Sequence, residues 1–166
     1  MASDMEIIED GIEGTLKPIK LDYDEFYKIL LDNPEGLILK IINIGTPFIS
    51  QYQDKNNRSN KNKMAFYIDY EFKYKGITYN KGVSYALGYP LGSDIKGKYI
   101  INDIDLLRLL RLVIDDLDKY LNIRLTFNKI KEKLKDLEFI MLIESHTNKN
   151  NNTYYKLKPI ELIKEV

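Results

Sequence analysis

Thirteen tyrosines, six phenylalanines and twenty-five lysines and arginines are the side chains of this 166-residue chain with chemistry to offer. There is no cysteine, which excludes disulfides, thiolate metal sites and thiol catalysis together. The one histidine, His146, argues against a His-ligated metal site and against a His-based triad. Carboxylates are plentiful, but none pairs at a spacing that reads as a metal site or an acid–base couple. Asp103 with Asp105, and Asp115 with Asp116 and Asp118, read instead as a helix cap and a solvated helix face. Neither an enzyme nor a cofactor is expected. Aromatic rings and cations have another joint use, since rings stack on bases at roughly 1–3 kcal/mol each while lysines and arginines meet phosphates.

The charge is unevenly spread. Formal net charge is zero, yet residues 1 to 35 carry ten acidic and three basic side chains, whereas residues 36 to 100 carry four acidic and ten basic. An acidic arm, residues 1–16, thus precedes a basic middle, an asymmetry that bears on partners and not on fold. The acidic start is no signal peptide, and no apolar run approaches the roughly 20 residues needed to cross a bilayer. A soluble cytoplasmic protein with no membrane partner is expected.

The element that must position the aromatic residues is Met64 to Leu87. Apolar residues alternate through MAFYIDYEFKY, break at Lys75-Gly76, and resume at Ile77, Tyr79, Val83, Tyr85 and Leu87, with Lys81 the exception. Gly in the second position of a two-residue turn supplies the positive φ that a tight hairpin needs. Pairing Tyr74 with Ile77 then sets Phe72 against Tyr79, Ile68 against Val83, Phe66 against Tyr85 and Met64 against Leu87. Both apolar sets share one face in that register, and a one-residue slip destroys the agreement.

Around the hairpin the chain reads in order. Asp22 and Glu25 form a capping box for a helix through Leu31 that stops at Asn33-Pro34. Leu37 to Ile44 reads as a strand. Ser50 to Lys63 is a long polar loop, and loops of that length inside a compact domain are commonly functional or disordered. GYPLGSDIKGKYI is a second irregular connection. Asn102 or Asp103 caps a helix whose apolar positions run from 106 to 121, wide enough to leave room for a dimer contact. Thr126 caps a further helix with a stripe at Phe127, Ile130, Leu134 and Leu137. Glu138 to Ser145 and Thr153 to Leu162 read as strands joined by the polar loop HTNKNNNT, with Pro159 placing the last one at an edge.

Three strands, a helical segment and two more strands are the order of the OB-fold, whose ligands lie on strands 2 and 3 between the loop joining strands 1 and 2 and the loop joining strands 4 and 5. Through FYIDYEFKYKGITY, KIKEKLKDLEFIMLIES and TYYKLKPI, the chain resembles the small OB-fold single-stranded-DNA-binding proteins of phages, archaeal viruses and plasmids. The resemblance implies an α+β OB-fold, a five-stranded barrel over residues 17–166 with an added N-terminal helix. It further implies binding of single-stranded DNA with little sequence preference, as an accessory to replication or recombination. DNA and RNA are both left open.

On that frame most hairpin aromatics face the core, and the stacking candidates are Tyr52, Tyr67 and Tyr89. Lys55, Arg58, Lys61, Lys63, Lys73, Lys96 and Lys98 are candidate phosphate contacts, joined by His146 and Lys149 in the Asn-rich loop. Each lysine is equally readable as plain solvated surface. Asp69 and Glu71 on the same face repel phosphate, although a carboxylate also accepts from a base edge. Those two residues and the zero net charge favour the alternative, a protein-interaction module such as a viral inhibitor or assembly factor. The acidic arm is a candidate site for a protein partner.

Overall fold

The computed structural model describes residues 17–53, 61–91, 97–120 and 122–163. The acidic arm, Lys55, Arg58 and Lys96 lie outside the described residues. The architecture is mixed α+β and mainly strand. Its elements are β1 (Ile19–Lys20), α1 (Tyr23–Leu31), β2 (Leu37–Ile44), β3 (Phe48–Ile49), β4 (Met64–Tyr74), β5 (Ile77–Gly88), β6 (Lys98–Ile101), α2 (Ile104–Val113), β7 (Ile123–Thr126), α3 (Phe127–Leu134), β8 (Glu138–Thr147) and β9 (Thr153–Ile163).

The hairpin β4–β5 forms in the expected register from Tyr74↔Ile77 to Phe66↔Tyr85. Its far end departs: a bulge after Met64 pairs Met64 with Gly88 and Ala65 with Ala86, not Met64 with Leu87. Phe66, Ile68, Tyr70, Phe72, Tyr85 and Leu87 are all buried, as one apolar face requires. Each contributes on the order of 1.5–3 kcal/mol through removal from water.

The main sheet runs β1-β5-β4-β2-β8-β9, with β3 added beside β4. All pairs are antiparallel except β1 with β5. A bulge at Ile41/Asn43 lets Ile41 and Ile44 both point inward while Ile42 and Asn43 face out. The pleat alone cannot place two residues three apart on one face, so the extra residue is what returns Ile44 to the core. Strand β9 lies at the sheet's edge with Pro159, Lys156 and Lys158, residues that discourage pairing with another chain.

The five-stranded barrel expected from the sequence is not closed by strand pairing. Strands β5 and β9 are the ends that would have to meet, and no backbone ladder joins them. The seam between them is filled from the helical side. Strand β1 pairs with β5, and Leu21 extends the contact by donating its N–H to Asn80 O at 3.0 Å. Helix α1, held by the Asp22–Glu25 capping box, then lays Tyr27 against Tyr155 of β9, with ring centroids 5.7 Å apart. Helix α2 packs on both β5 and β9.

The helix expected over 106–121 ends at Val113. Ile114 is extended, Asp116 adopts a left-handed conformation at φ 62°, and Leu117–Lys119 form a 3-10 turn. Three aspartates within four residues oppose the negative end of the helix dipole, and Asp tolerates that handedness better than most residues. Lys98–Ile101 is likewise a strand, pairing with Ile123–Thr126 in a separate two-stranded ribbon. Asp103 and Thr126 cap α2 and α3 through their side-chain oxygens.

Candidate nucleic-acid interface

The outer face of β4 and β5 carries Tyr67, Asp69, Glu71 and Lys73 on one strand and Thr78, Asn80, Gly82 and Ser84 on the other, because their in-register neighbours point inward. Tyr67 is 49% exposed and stacks on Phe48 of β3, centroids 5.2 Å apart with planes 22° from parallel. Gly82 lets Asp69 approach the strand closely beside that ring: a Cβ there would meet Asp69 Oδ1 at 2.8 Å and Tyr67 Cδ1 at 3.8 Å. Asp69 Oδ2 accepts from Asn43 Nδ2 at 3.1 Å.

The loop leaving β3 is pinned where it starts and ends. Gln53 Nε2 donates to Ser50 O at 2.6 Å and Lys63 O at 3.0 Å, and its Oε1 accepts from Lys63 N at 2.9 Å. This clamp sets Tyr52, 74% exposed, and Ile49, 59% exposed, beside the Phe48–Tyr67 stack at the Met64 end of the hairpin. Lys61 is exposed and Lys63 half-buried at the same end. Tyr89 and Lys98 follow beyond Gly88, both half-buried, with Lys98 inside β6 and not in an irregular connection. Lys73 lies six residues along β4 from Tyr67, about 20 Å away, and belongs to the opposite end.

His146 departs from expectation. It sits within β8, paired with Tyr154, and not in a loop. Its ring stacks on Tyr154 at 5.4 Å, and its Nε2 lies 3.3 Å from Glu144 Oε1. Polar composition suggested a loop, but an antiparallel ladder pairs Ser145 with Tyr155 and Thr147 with Thr153 regardless. Lys149 is exposed in the turn that follows, where Asn148 Oδ1 accepts from the backbone of Asn150 and Asn152. Glu144 is the hub of this corner. Arg108 donates to it at 2.8 Å, and Lys158 lies 3.6 Å away. The Arg108 hydrogen bond, outweighing burial, holds the Glu144 carboxyl below its usual range.

Between β5 and β9 the unpaired seam opens into a cleft of about 250 Å³. Its walls come from Tyr23 and Tyr27 of α1, Ser84 and Tyr85 of β5, Asp105 of α2, and Tyr154 to Leu157 of β9. Ser84 is also the cross-strand partner of Tyr67, so the cleft lies one strand, about 4.8 Å, from the strand that carries that ring. The phenols of Tyr27 and Tyr85 are raised above their usual range, in both cases chiefly by burial. Asp105 is raised as well by burial, with Lys156 acting in the opposite direction.

None of the cleft residues is among the binding candidates read from the sequence. Asp105 was grouped with Asp103 as a cap, yet Asp103 alone performs that task, accepting from the N–H groups of Asp105 and Leu106. The Tyr154–Tyr155 pair was the available signal, since adjacent tyrosines on an edge strand put one ring on each face.

Among the described residues no group of three or more His, Asp or Glu side chains could hold a metal ion, and no helix is long and apolar enough to cross a membrane. Comparison with protein-family models, curated proteins and solved structures finds no match for this chain.

Proposed function

We propose that the protein binds single-stranded nucleic acid, with DNA as the first choice, on an open OB-like sheet. The strand order β5-β4-β2-β8-β9 is that of an OB barrel opened between its third and fifth strands, which supports the fold assignment. The observation that carries the function is a set of exposed aromatic rings at outward-facing positions. Tyr52 and the Phe48–Tyr67 stack supply some of them, and Ser84, the cross-strand partner of Tyr67, shares the seam cleft with Tyr154, 41% exposed and backed by His146. Rings in series are sequence-tolerant platforms for successive bases. Lys61 and Lys63 at one end and Lys149 at the other serve the phosphates, in an accessory role to replication or recombination.

Fluorescence anisotropy with labelled oligo-dT, the matching oligo-rU and a duplex, each at two salt concentrations, tests this directly. Binding of single strands in preference to duplex, weakening as salt rises, is the expected result. Duplex bound as tightly as single strand, or affinity indifferent to salt, would overturn it. The second reading, a protein-interaction module, is favoured by Ile38, Ile42 and Ile49 exposed on the outer surface and by the carboxylates of Asp69 and Glu71. It predicts no oligonucleotide binding in any arm of the same experiment.

A further inference from the structure

The seam cleft is a half-open concavity beside the exposed rings, and one of its polar groups is not fully spent on the fold. Asp105 Oδ1 is buried and has no hydrogen-bond partner among the described residues, although a stranded buried acceptor costs about 1–3 kcal/mol. The other oxygen, Oδ2, lies 3.6 Å from Lys156 Nζ, a loose pair with both side chains about a third exposed. Rotation about χ2, a soft torsion in Asp, turns either oxygen toward the cleft. Asp105 is not needed for capping, since Asp103 caps α2.

The cleft therefore sets an acceptor beside a donor, with no net charge between them. That disfavours a phosphate and a bare cation alike. Its remaining walls are rings, including Tyr23 at 46% exposed and Tyr154 at 41%. Tyr23 is held in place across the seam, its hydroxyl accepting from Tyr155 N at 3.4 Å. At about 250 Å³ the space falls just below the roughly 300–1,000 Å³ of ordinary small-molecule sites, which suits a single flat heterocycle. The occupant that these features describe is neutral, planar, and carries N–H donors next to a carbonyl along one edge. Among nucleobases guanine alone presents two N–H groups beside a carbonyl, N1–H and N2–H to the carboxylate and O6 to the ammonium.

We propose that the seam cleft is a base pocket that takes one guanine of the bound strand, with Asp105 accepting its N–H groups, Lys156 donating to O6, and Tyr23 and Tyr154 flanking the ring. This rests on the single-strand reading and adds to it a preference for one base at one position. A strand lying on the Tyr67 platform reaches the cleft by way of Ser84, one strand further on.

The experiment compares oligo-dT with the same oligonucleotide carrying one central dG, and with one carrying deoxyinosine, which lacks the N2 amino group. Wild-type protein should bind the dG strand about tenfold more tightly than oligo-dT, with inosine in between. Asp105→Asn, which sets an amide donor against guanine's N–H groups, should abolish the difference, its fold being checked by circular dichroism. The inosine comparison needs no variant and stands even where the substituted chain fails to fold. Oligo-dT and dG strands bound equally by the wild type would overturn the pocket while leaving the aromatic platform intact. Failure to bind any oligonucleotide would overturn both. Free guanosine monophosphate bound more tightly than the dG strand, followed through tyrosine ring NMR signals, would overturn the assignment to a strand.

Discussion

The hydroxyls of Tyr70 and Tyr85 bond to each other inside the core, where Tyr70 is 0% and Tyr85 5% exposed. Burial raises both phenols, so each stays protonated throughout the ordinary pH range. Substituting Tyr70→Phe removes one oxygen and leaves the Tyr85 hydroxyl without its partner; Tyr85→Phe does the converse. A stranded buried hydroxyl costs about 1–3 kcal/mol, whereas removing both leaves two apolar rings of nearly the same shape, which is close to neutral. The two single variants are not equivalent. Tyr85 borders the seam cleft, where water can take the place of its partner, whereas Tyr70 is wholly enclosed. Tyr85→Phe should therefore cost more than Tyr70→Phe. Urea unfolding followed by far-ultraviolet circular dichroism at constant m-value measures all four corners of the cycle. The costs of the singles should together exceed that of the double variant by about 1–3 kcal/mol. Additive singles, or a double variant as damaged as their sum, would refute the claim that the two oxygens satisfy only each other.

Three further outcomes follow from the geometry. Tyr67→Ala removes the exposed half of the Phe48 stack and should weaken oligo-dT binding by about 1–3 kcal/mol in an anisotropy titration while changing the unfolding midpoint little. Gly36→Ala should destabilise by more than about 1 kcal/mol in a thermal melt, because Gly36 has φ +98° and a Cβ would meet Met141 O at 3.0 Å. Glu144→Gln bears on pH. The folded pKa of Glu144 lies below its ordinary value of 4.5, so the stabilisation is complete above that value and is lost as pH falls through the lowered one. Wild type should exceed the variant in stability at neutral pH, and the two should converge in acid.

Local signals carried far into this fold. The β4–β5 register was legible because only one alignment places both apolar sets on one face, and α1, β2 and α3 because capping boxes, β-branched runs and threonine caps act within a few residues. What was not legible depends on contacts distant in sequence. The β6–β7 ribbon joins two four-residue segments on either side of α2, each too short to show a period. The apolar run from 106 to 121 kept helical spacing past the true end at Val113, because burial of Leu117 by other elements preserves the pattern after the helix has stopped. The candidate site divides in the same way. Tyr67 and Tyr52 emerged from strand alternation and loop position, whereas Asp105, Tyr23 and Tyr154 converge only once β9 has curled back toward β5.

That seam also has a history in time. Helix α1 emerges from the ribosome well before β9, and the Ile19–Lys20 pairing with β5 can fix it in the opening while the last strand is still unmade. Part of the β5 edge that β9 would need for closure is then taken by β1. A circularly permuted chain, in which α1 is made last, would give β5 and β9 their first opportunity to zip together.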